Sequence, residues 1–262
     1  KKALVTVSGL IGDHYGEKVR ALAGTITGLT FPMWSVATAL AFASAMTVFT
    51  GISLIVSVAI TAFLLYLYLR LGGMWSIGFT QLSNVIVFAI MLLIGFYAFL
   101  INPGIDGLKQ LLTQRPEMFA PGNAGIQTIV VWFGTFLINI VLAQAAFQMA
   151  LSCKTEKEGQ QGLFLAALFG IPLIIGAVVF GLAAAYVVPG QTLALQAIPL
   201  YLMETLPAPL VGLFFLGFWA AALSWGAPCQ FSGATSLGRD VGQAINPKAK
   251  EVDLVKYTRR SL

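Results

Sequence analysis

Ionisable side chains are scarce in this chain of 262 residues. Asp, Glu, Lys and Arg together supply only 10% of the residues, whereas a soluble domain carries roughly 25%. There is one histidine, His14, and there are two cysteines, Cys153 and Cys229. So few ligands exclude a haem pair, an iron–sulfur cluster and a zinc site. No cofactor is therefore expected, unless it is an ion held by neutral oxygens.

The few charges leave long uncharged runs between them. Residues 21–69, 71–105, 118–153, 159–203 and 205–238 contain no Asp, Glu, Lys or Arg. Each run is longer than the roughly 20 apolar residues that cross the hydrocarbon core of a bilayer. Hydrophobic residues make up 58% of the chain. The sequence therefore predicts an all-α polytopic membrane protein that is embedded in the lipid bilayer.

Turn and breaker residues divide these runs into six predicted transmembrane helices of a single transmembrane domain. Thr50-Gly51, Gly72-Gly73 and Asn102-Pro103-Gly104 end the first three spans. Two shorter segments, near residues 105–112 and 195–204, suit a helix in the membrane interface better than a crossing. The six spans cover residues 23–49, 52–71, 75–101, 127–151, 162–187 and 210–244.

Basic residues predict the orientation of these helices. With both ends of the chain in the cytoplasm, 13 of the 15 Lys and Arg residues lie inside, and only Lys109 and Arg115 lie outside. We expect this layout in a bacterial or archaeal inner (plasma) membrane. The net charge of +5 then faces anionic lipid, and nucleic acid is not an expected partner. Because the chain begins with Lys1-Lys2, we also expect it to be part of a longer protein.

Neutral polar side chains within the spans are the candidates for a solute pathway. Thr135, Asn139 and Gln144 lie along the fourth span, and an amide at this depth is costly without a partner. Hydrogen bonds between helices explain such residues equally well. The uncharged runs argue against an intramembrane carboxylate relay. No nucleophile, base and acid occur together, so an enzyme is not expected.

The sixth span contains several hydroxyl groups and a proline. Pro228 has no N–H to offer the carbonyl of Ser224, one turn earlier. That oxygen is therefore free for another donor or for an ion. A kink at Pro228 is also expected, and kinks of this kind are often purely structural.

Four segments resemble the sodium:solute symporter family. Residues 67–76, followed by Phe79-Thr80-Gln81, resemble its Y-x-x-x-G-G-L-x-A-V-x-x-T-D junction, and residues 13–20 resemble the R-Y-G-x-x-x-R linker before its third core helix. Residues 150–162 are similar to its L-A-A-K-S-x-x-E-A-x-x-G loop, and residues 204–241 are similar to its L-P…A-A-x-M-S-T…S-T…R-D-I segment. The four segments occur in order across nearly the whole chain, which makes the resemblance specific.

The resemblance implies an incomplete leucine-transporter-like inverted-repeat bundle that holds core helices three to eight. It also implies a sodium site made by the Ala221 carbonyl and the Ser224 hydroxyl, completed by missing helices of the same protein. The next family ligand is a second Ser or Thr, and this chain has Trp225 there. Two further departures are Gln81, where the family has Asp, and Met149, where it has Arg.

Two functional hypotheses follow from these observations. The first is secondary active transport of a small organic solute, as sodium symport by alternating access. The second is a transporter-derived membrane subunit or sensor domain, which works with other membrane subunits. In this second hypothesis, Trp225, Gln81 and Met149 have abolished sodium coupling.

Overall fold

The computed structural model describes residues 5–190 and 194–262, except the side chains of residues 71–76, 121 and 140–142. Lys1 and Lys2, which contribute to the predicted orientation, lie outside the described residues. The described residues form helices and connections without a strand. The helices are α1 (Val7–Tyr15), α2 (Glu17–Thr50), α3 (Leu54–Ile101), α4 (Gly104–Gln114), α5 (Ile126–Leu142), α6 (Gln144–Leu151), α7 (Glu156–Val187), α8 (Ala194–Thr205), α9 (Ala208–Thr235), α10 (Gly242–Ile245) and α11 (Glu251–Ser261), with short 3-10 turns at Pro116–Phe119 and Pro121–Ala124.

Five segments in the described part of the chain are long and apolar enough to cross a membrane. The shorter apolar segment Leu54–Arg70 lies at the second of the six predicted spans. The prediction of an all-α polytopic membrane protein is thereby confirmed, while the bounds of the six spans stay predictions. The five long segments are Glu17–Thr50, Ile77–Ile101, Ile126–Leu151, Glu156–Val187 and Ala208–Ile245.

Helix α2 remains regular although it is rich in threonine. The hydroxyl groups of Thr25, Thr30, Thr38 and Thr47 each donate to the main-chain carbonyl four residues earlier, at 2.8 to 2.9 Å. These side chains therefore satisfy their polar groups within the helix. The helix ends where the sequence predicts, at Gly51. This residue has a left-handed φ of 73°, which glycine adopts without strain.

Helix α3 bends sharply near its middle, although its backbone is helical from Leu54 to Ile101. The Tyr68 hydroxyl contacts the Thr80 hydroxyl, which lies 12 residues later in the chain. Twelve residues of straight helix advance about 18 Å, which is too far for this contact. The bend therefore lies between Tyr68 and Thr80. This interval contains Gly72-Gly73, the predicted end of a span.

The two segments predicted to lie in the membrane interface form helices α4 and α8. In α4, Leu111 is buried, while Asp106 and Lys109 are exposed and lie 3.0 Å apart. In α8, the Tyr201 side chain is fully buried, and its hydroxyl donates to the main-chain carbonyl of Asn102 at 2.7 Å. This bond joins α8 to the end of α3.

The main apolar core joins the second half of α3 to α7, α8 and α9. Phe180 of α7 lies edge-on to Phe96 and Phe214, with ring centroids 5.3 and 6.2 Å away. Gly95 makes this approach possible, because a Cβ atom at that position would lie 2.2 Å from the Phe180 ring. Side-chain packing thus fixes the part of α3 that faces α9.

The fourth predicted span is formed by two helices, α5 and α6, with an interruption between them. Ala143 separates α5 from α6, and its ψ of 81° lies outside the helical region. The last carbonyl groups of α5 and the first N–H groups of α6 therefore lack partners within their own helices. No Gly or Pro occurs between residues 135 and 151, so no breaker residue predicts this interruption.

Helix α9 continues through Pro228, and its backbone becomes π-helical only after Thr235. Residues Ser236–Val241 form a π-helical segment before α10, and such segments are frequent at functional sites. A Cβ atom at Gly238 would lie 2.2 Å from the backbone nitrogen of Thr258. Helix α11 therefore packs directly on the π-helical segment.

Candidate functional site: a neutral aromatic cavity

A cavity of about 570 Å³ lies between α2, α3, the interrupted pair α5 and α6, α7 and α9. This volume is typical of small-molecule sites, which occupy about 300–1,000 Å³. Aromatic rings form much of the wall, and the ring centroids of Trp34 and Phe136 are 6.2 Å apart. None of its described lining residues is Asp, Glu, Lys or Arg. They are Phe31, Trp34, Gln81, Phe136, Asn139, Ala143, Ala145, Ala146, Met149, Ala150, Cys153, Gly159, Gly162, Leu163, Ala166, Ser224, Trp225, Pro228 and Cys229.

The cavity extends along α9 and α6 towards one end of the molecule. It begins beside Ser224 in α9 and reaches Cys153 in the connection from α6 to α7 and Gly159 in the first turn of α7. The basic residues predict that this connection faces the cytoplasm. The cavity therefore approaches the predicted cytoplasmic end of the helices.

The interruption of the fourth span borders this cavity. Ala143, the residue that separates the two helices, and Asn139, one turn before it, both line the wall. Main-chain groups at the ends of α5 and α6 that lack partners within their own helices therefore lie next to a largely apolar space. Such discontinuous helices commonly form the binding sites of transporters.

The structure separates the three predicted residues of the solute pathway. Asn139 lines the cavity, whereas Thr135 is exposed and is not among its lining residues. Gln144 is fully buried against α9, where its Nε2 donates to the Ser232 carbonyl at 2.9 Å and to the Ser236 hydroxyl at 2.6 Å. This is the interhelical bonding that the sequence offers as an alternative for these amides. The role of all three residues in a solute pathway stays a prediction.

A second amide strengthens the contact between α6 and α9. The Ser232 hydroxyl donates to Oε1 of Gln148 at 2.8 Å. Gln144 and Gln148 are four residues apart, so they lie on the same face of α6. Ala145, Ala146 and Met149 of α6 instead line the cavity. Helix α6 therefore binds α9 with its amides and forms the cavity wall with apolar side chains.

The predicted sodium ligand Ser224 already accepts hydrogen bonds from amide groups. Its carbonyl accepts from Nε2 of Gln81 at 2.7 Å, and its hydroxyl accepts from Nδ2 of Asn84 at 2.5 Å. The same nitrogen of Asn84 donates to the Ala220 carbonyl at 3.3 Å. Ala221 lies within the continuous helix α9. The structure thus reveals Gln81 as the donor that replaces the N–H missing at Pro228.

The three departures from the family pattern border the same cavity. Gln81, Met149 and Trp225 all line it, and Trp225 is 58% exposed. An amide, a thioether and an indole stand where the resemblance implies an acid, a guanidinium and a hydroxyl. These three substitutions make the wall neutral and aromatic.

One buried carboxyl group lies near the end of the sixth predicted span. Asp240 lies in the apolar segment Ala208–Ile245, just beyond the uncharged run, and it is 2% exposed. The sequence places it beside Arg239 at the end of a span, where an exposed position is usual. Packing of α1 and α2 against the π-helical segment buries it instead.

Comparison with known proteins links the chain to membrane transporters. No protein-family model matches the sequence. High-affinity choline transporter 1 of Torpedo marmorata is 24% identical over 253 residues, and high affinity choline transporter 1 of Homo sapiens is 23% identical over 254 residues. The matches cover 90% of this chain and 43% of the length of each relative. The similarity supports the resemblance to the sodium:solute symporter family and a part in membrane transport.

Proposed function

We propose that this chain forms the solute pathway of a secondary transporter that moves a small organic solute by alternating access. The observation that carries the proposal is the neutral aromatic cavity beside the interruption at Ala143. Free main-chain groups at such an interruption can bind the polar part of a solute, while the rings hold its apolar part. The similarity to two choline transporters supports the same function.

The cavity wall favours a compact solute that is uncharged or carries a diffuse positive charge. The rings of Trp34, Phe136 and Trp225 line the space, and aromatic faces attract methylated ammonium groups by about 0.5–2 kcal/mol each. The described lining offers no basic side chain for an anion. Because both relatives are named for choline, choline is the first solute to test. Glycine betaine, sugars and amino acids complete the panel.

Uptake by the full-length protein in liposomes tests this proposal. Saturable uptake of one solute that falls in Asn139→Ala supports it, because Asn139 lines the cavity. Phe133→Ala is the matched control on the same helix, since Phe133 is exposed and does not line the cavity. Absence of both saturable uptake and solute binding across the whole panel would overturn the proposal.

Sodium symport is the form of coupling that the family resemblance implies. Sodium needs several oxygen ligands, and the carbonyl and hydroxyl of Ser224 are both engaged by amide groups. We propose that sodium coupling, where it operates, displaces Gln81 and Asn84 from Ser224. Uptake driven by an inward sodium gradient in the wild type, but not in Ser224→Ala, supports symport.

A transporter-derived subunit or sensor domain without sodium coupling is the second candidate function. The observation in its favour is that Ser224 accepts hydrogen bonds from the amides of Gln81 and Asn84. In addition, Trp225 replaces the next hydroxyl ligand. Such a protein binds a solute in the cavity without accumulating it, and sodium leaves the affinity unchanged. Solute binding by the full-length protein without uptake selects this candidate.

A further inference from the structure

Only two of the described acidic and basic side chains are buried, and both lie where α1 and α2 meet the π-helical segment. Arg20 of α2 is 5% exposed, and Asp240 of the π-helical segment is 2% exposed. Burial of an ionised group is costly unless a partner of opposite charge and hydrogen bonds compensate it. The partners of these two groups therefore determine the charge that each can carry.

Arg20 is engaged by two other carboxylates. Its guanidinium lies 2.5 Å from Asp13 at the end of α1 and 3.0 Å from Glu17 at the start of α2. Gly12 leaves the space for this side chain, because a Cβ atom there would lie 2.4 Å from the Arg20 Cβ. The guanidinium therefore connects α1 to α2 and forms no ion pair with Asp240.

One hydrogen bond reaches Asp240 in this enclosed position, from Thr6, and the Ser236 hydroxyl one turn earlier is a second polar neighbour. Its Oδ1 accepts from the Thr6 hydroxyl at 2.8 Å, and that hydroxyl accepts from the Gly9 N–H at the start of α1. Its Oδ2 is buried and has no hydrogen-bond partner. A Cβ atom at Gly24 would lie 2.9 Å from the Asp240 Cβ, so α2 approaches closely as well. Helices α1 and α2 thus cover a carboxyl group that has one unpartnered oxygen.

The other charged groups around this segment do not neutralise Asp240. Arg239 interacts with it electrostatically, as Arg20 does, but Arg239 is held by both carboxylate oxygens of Glu251 at 2.5 and 2.9 Å. No described Lys, Arg or His nitrogen lies within ion-pair distance of Asp240. Of the remaining charged or titratable side chains of α1, α2 and α11, Asp253 and Tyr257 are half-buried. The others are exposed: His14, Tyr15, Lys18, Lys256, Arg259 and Arg260.

We propose that Asp240 is a proton-binding site that fastens α1 to the end of α9. With a proton on Oδ2 the carboxyl group is neutral, and its burial under α1 is far less costly. When Asp240 is ionised, it is a third carboxylate near the guanidinium of Arg20, which already pairs with Asp13 and Glu17. Ionisation therefore favours a state in which α1 moves away and water solvates Asp240. Rising pH on that side of the membrane releases the Thr6–Asp240 contact.

A proton fits this site better than a metal ion does. Metal ions in proteins need several converging ligands, and the described residues contain no group of three or more His, Cys, Asp or Glu that could hold one. The Thr6 hydroxyl donates to the carboxylate, so it offers no lone pair in that direction. The site therefore requires only one proton to become neutral. This inference is independent of the solute that the cavity binds.

Hydrogen exchange of the α1 amides in the full-length protein tests the proposal. In the wild type, protection of Val7–Tyr15 should fall by up to about tenfold per pH unit as the pH rises, until Asp240 is fully ionised, because release is linked to one proton. Asp240→Asn mimics the protonated group and should keep α1 protected across the same pH range. Asp106→Asn is the control, since Asp106 is exposed and pairs with Lys109, and it should retain the wild-type pH dependence.

Three results would overturn the proposal. The first is the same pH dependence in the wild type and in Asp240→Asn. The second is loss of protection at every pH in a folded Asp240→Asn protein, because the ionised carboxylate would then hold α1. The third is protection that follows sodium concentration at constant pH, which would assign a metal cation to the site.

Infrared difference spectroscopy of the wild type provides a second test that needs no Asp240 variant. The carbonyl band of a buried, protonated carboxyl group should disappear over the pH range in which α1 loses protection. The same band should titrate unchanged in Asp106→Asn. If no such band accompanies the loss of protection, Asp240 is not the proton-binding group.

Discussion

The side-chain amide of Gln81 donates a 2.7 Å hydrogen bond to the main-chain carbonyl of Ser224, 143 residues further along the chain. Pro228 deprives this carbonyl of its usual helical donor. Asn84, nearly one turn after Gln81, donates to the Ser224 hydroxyl and to the Ala220 carbonyl. The second half of α3 thus supplies hydrogen-bond donors that α9 lacks, and together they form one side of the cavity.

Removal of the Gln81 amide should destabilise the protein. Gln81→Ala leaves the partly buried Ser224 carbonyl without this donor, and loss of such a hydrogen bond costs about 0.5–1.5 kcal/mol. Thermal unfolding of the full-length protein in detergent should show a lower midpoint than the wild type. Gln161→Ala on α7, an exposed position, is the control and should leave the midpoint unchanged. Equal midpoints for Gln81→Ala and the wild type would show that this bond contributes no stability.

An acidic residue at position 81 should create a response to sodium. In Gln81→Asp, the carboxylate cannot donate to the Ser224 carbonyl, so acceptor oxygens face each other and attract a cation. Sodium should raise the unfolding temperature of this variant more than the same concentration of potassium does. Gln81→Asn, which keeps an amide, should show no such preference. An equal response of both variants to the two salts would argue against a cation site beside Ser224.

The sequence shows that the Ser224 carbonyl lacks its usual helical donor, but it does not show which residue donates to this carbonyl instead. The missing N–H at Pro228 is a local property of the chain. The donor Gln81 reaches it only through the packing of α3 on α9, which no local pattern encodes. The all-α membrane class follows from composition, which needs no knowledge of packing. The burial of Asp240, in contrast, depends on two helices that are distant in the sequence. The interruption at Ala143 has no Gly or Pro to predict it.

The close approach of α3 to α7 should depend on the absence of a side chain at Gly95. Gly95→Ala places a Cβ atom 2.2 Å from the Phe180 ring, and such overpacking typically costs about 1–3 kcal/mol. The unfolding midpoint of the full-length protein should therefore fall. When Phe180 is replaced by the smaller leucine, Gly95→Ala should lower the midpoint by less than it does in the wild type. The comparison is between Phe180→Leu alone and the double variant Gly95→Ala with Phe180→Leu. Additive losses would contradict direct packing between the two positions.

The indole of Trp225 should contribute to solute affinity. Its ring lines the cavity and is not buried by other described residues, so Trp225→Ala should weaken binding of an ammonium solute by about two- to thirtyfold. Trp225→Phe keeps a π face and should retain more of the affinity. Equilibrium binding of labelled choline to the full-length protein measures both effects. Unchanged affinity in Trp225→Ala would place the solute elsewhere.

Two neighbouring alanines on α7 allow the most direct test of the proposed solute pathway. Ala166 lines the cavity, whereas Ala167 is exposed and does not line it. A tryptophan at either position adds the same side chain, but only Ala166→Trp places it against the cavity. Uptake of the transported solute by the full-length protein in liposomes should be abolished in Ala166→Trp and should equal that of the wild type in Ala167→Trp. Equal uptake by the two variants would contradict the assignment of this cavity as the solute pathway.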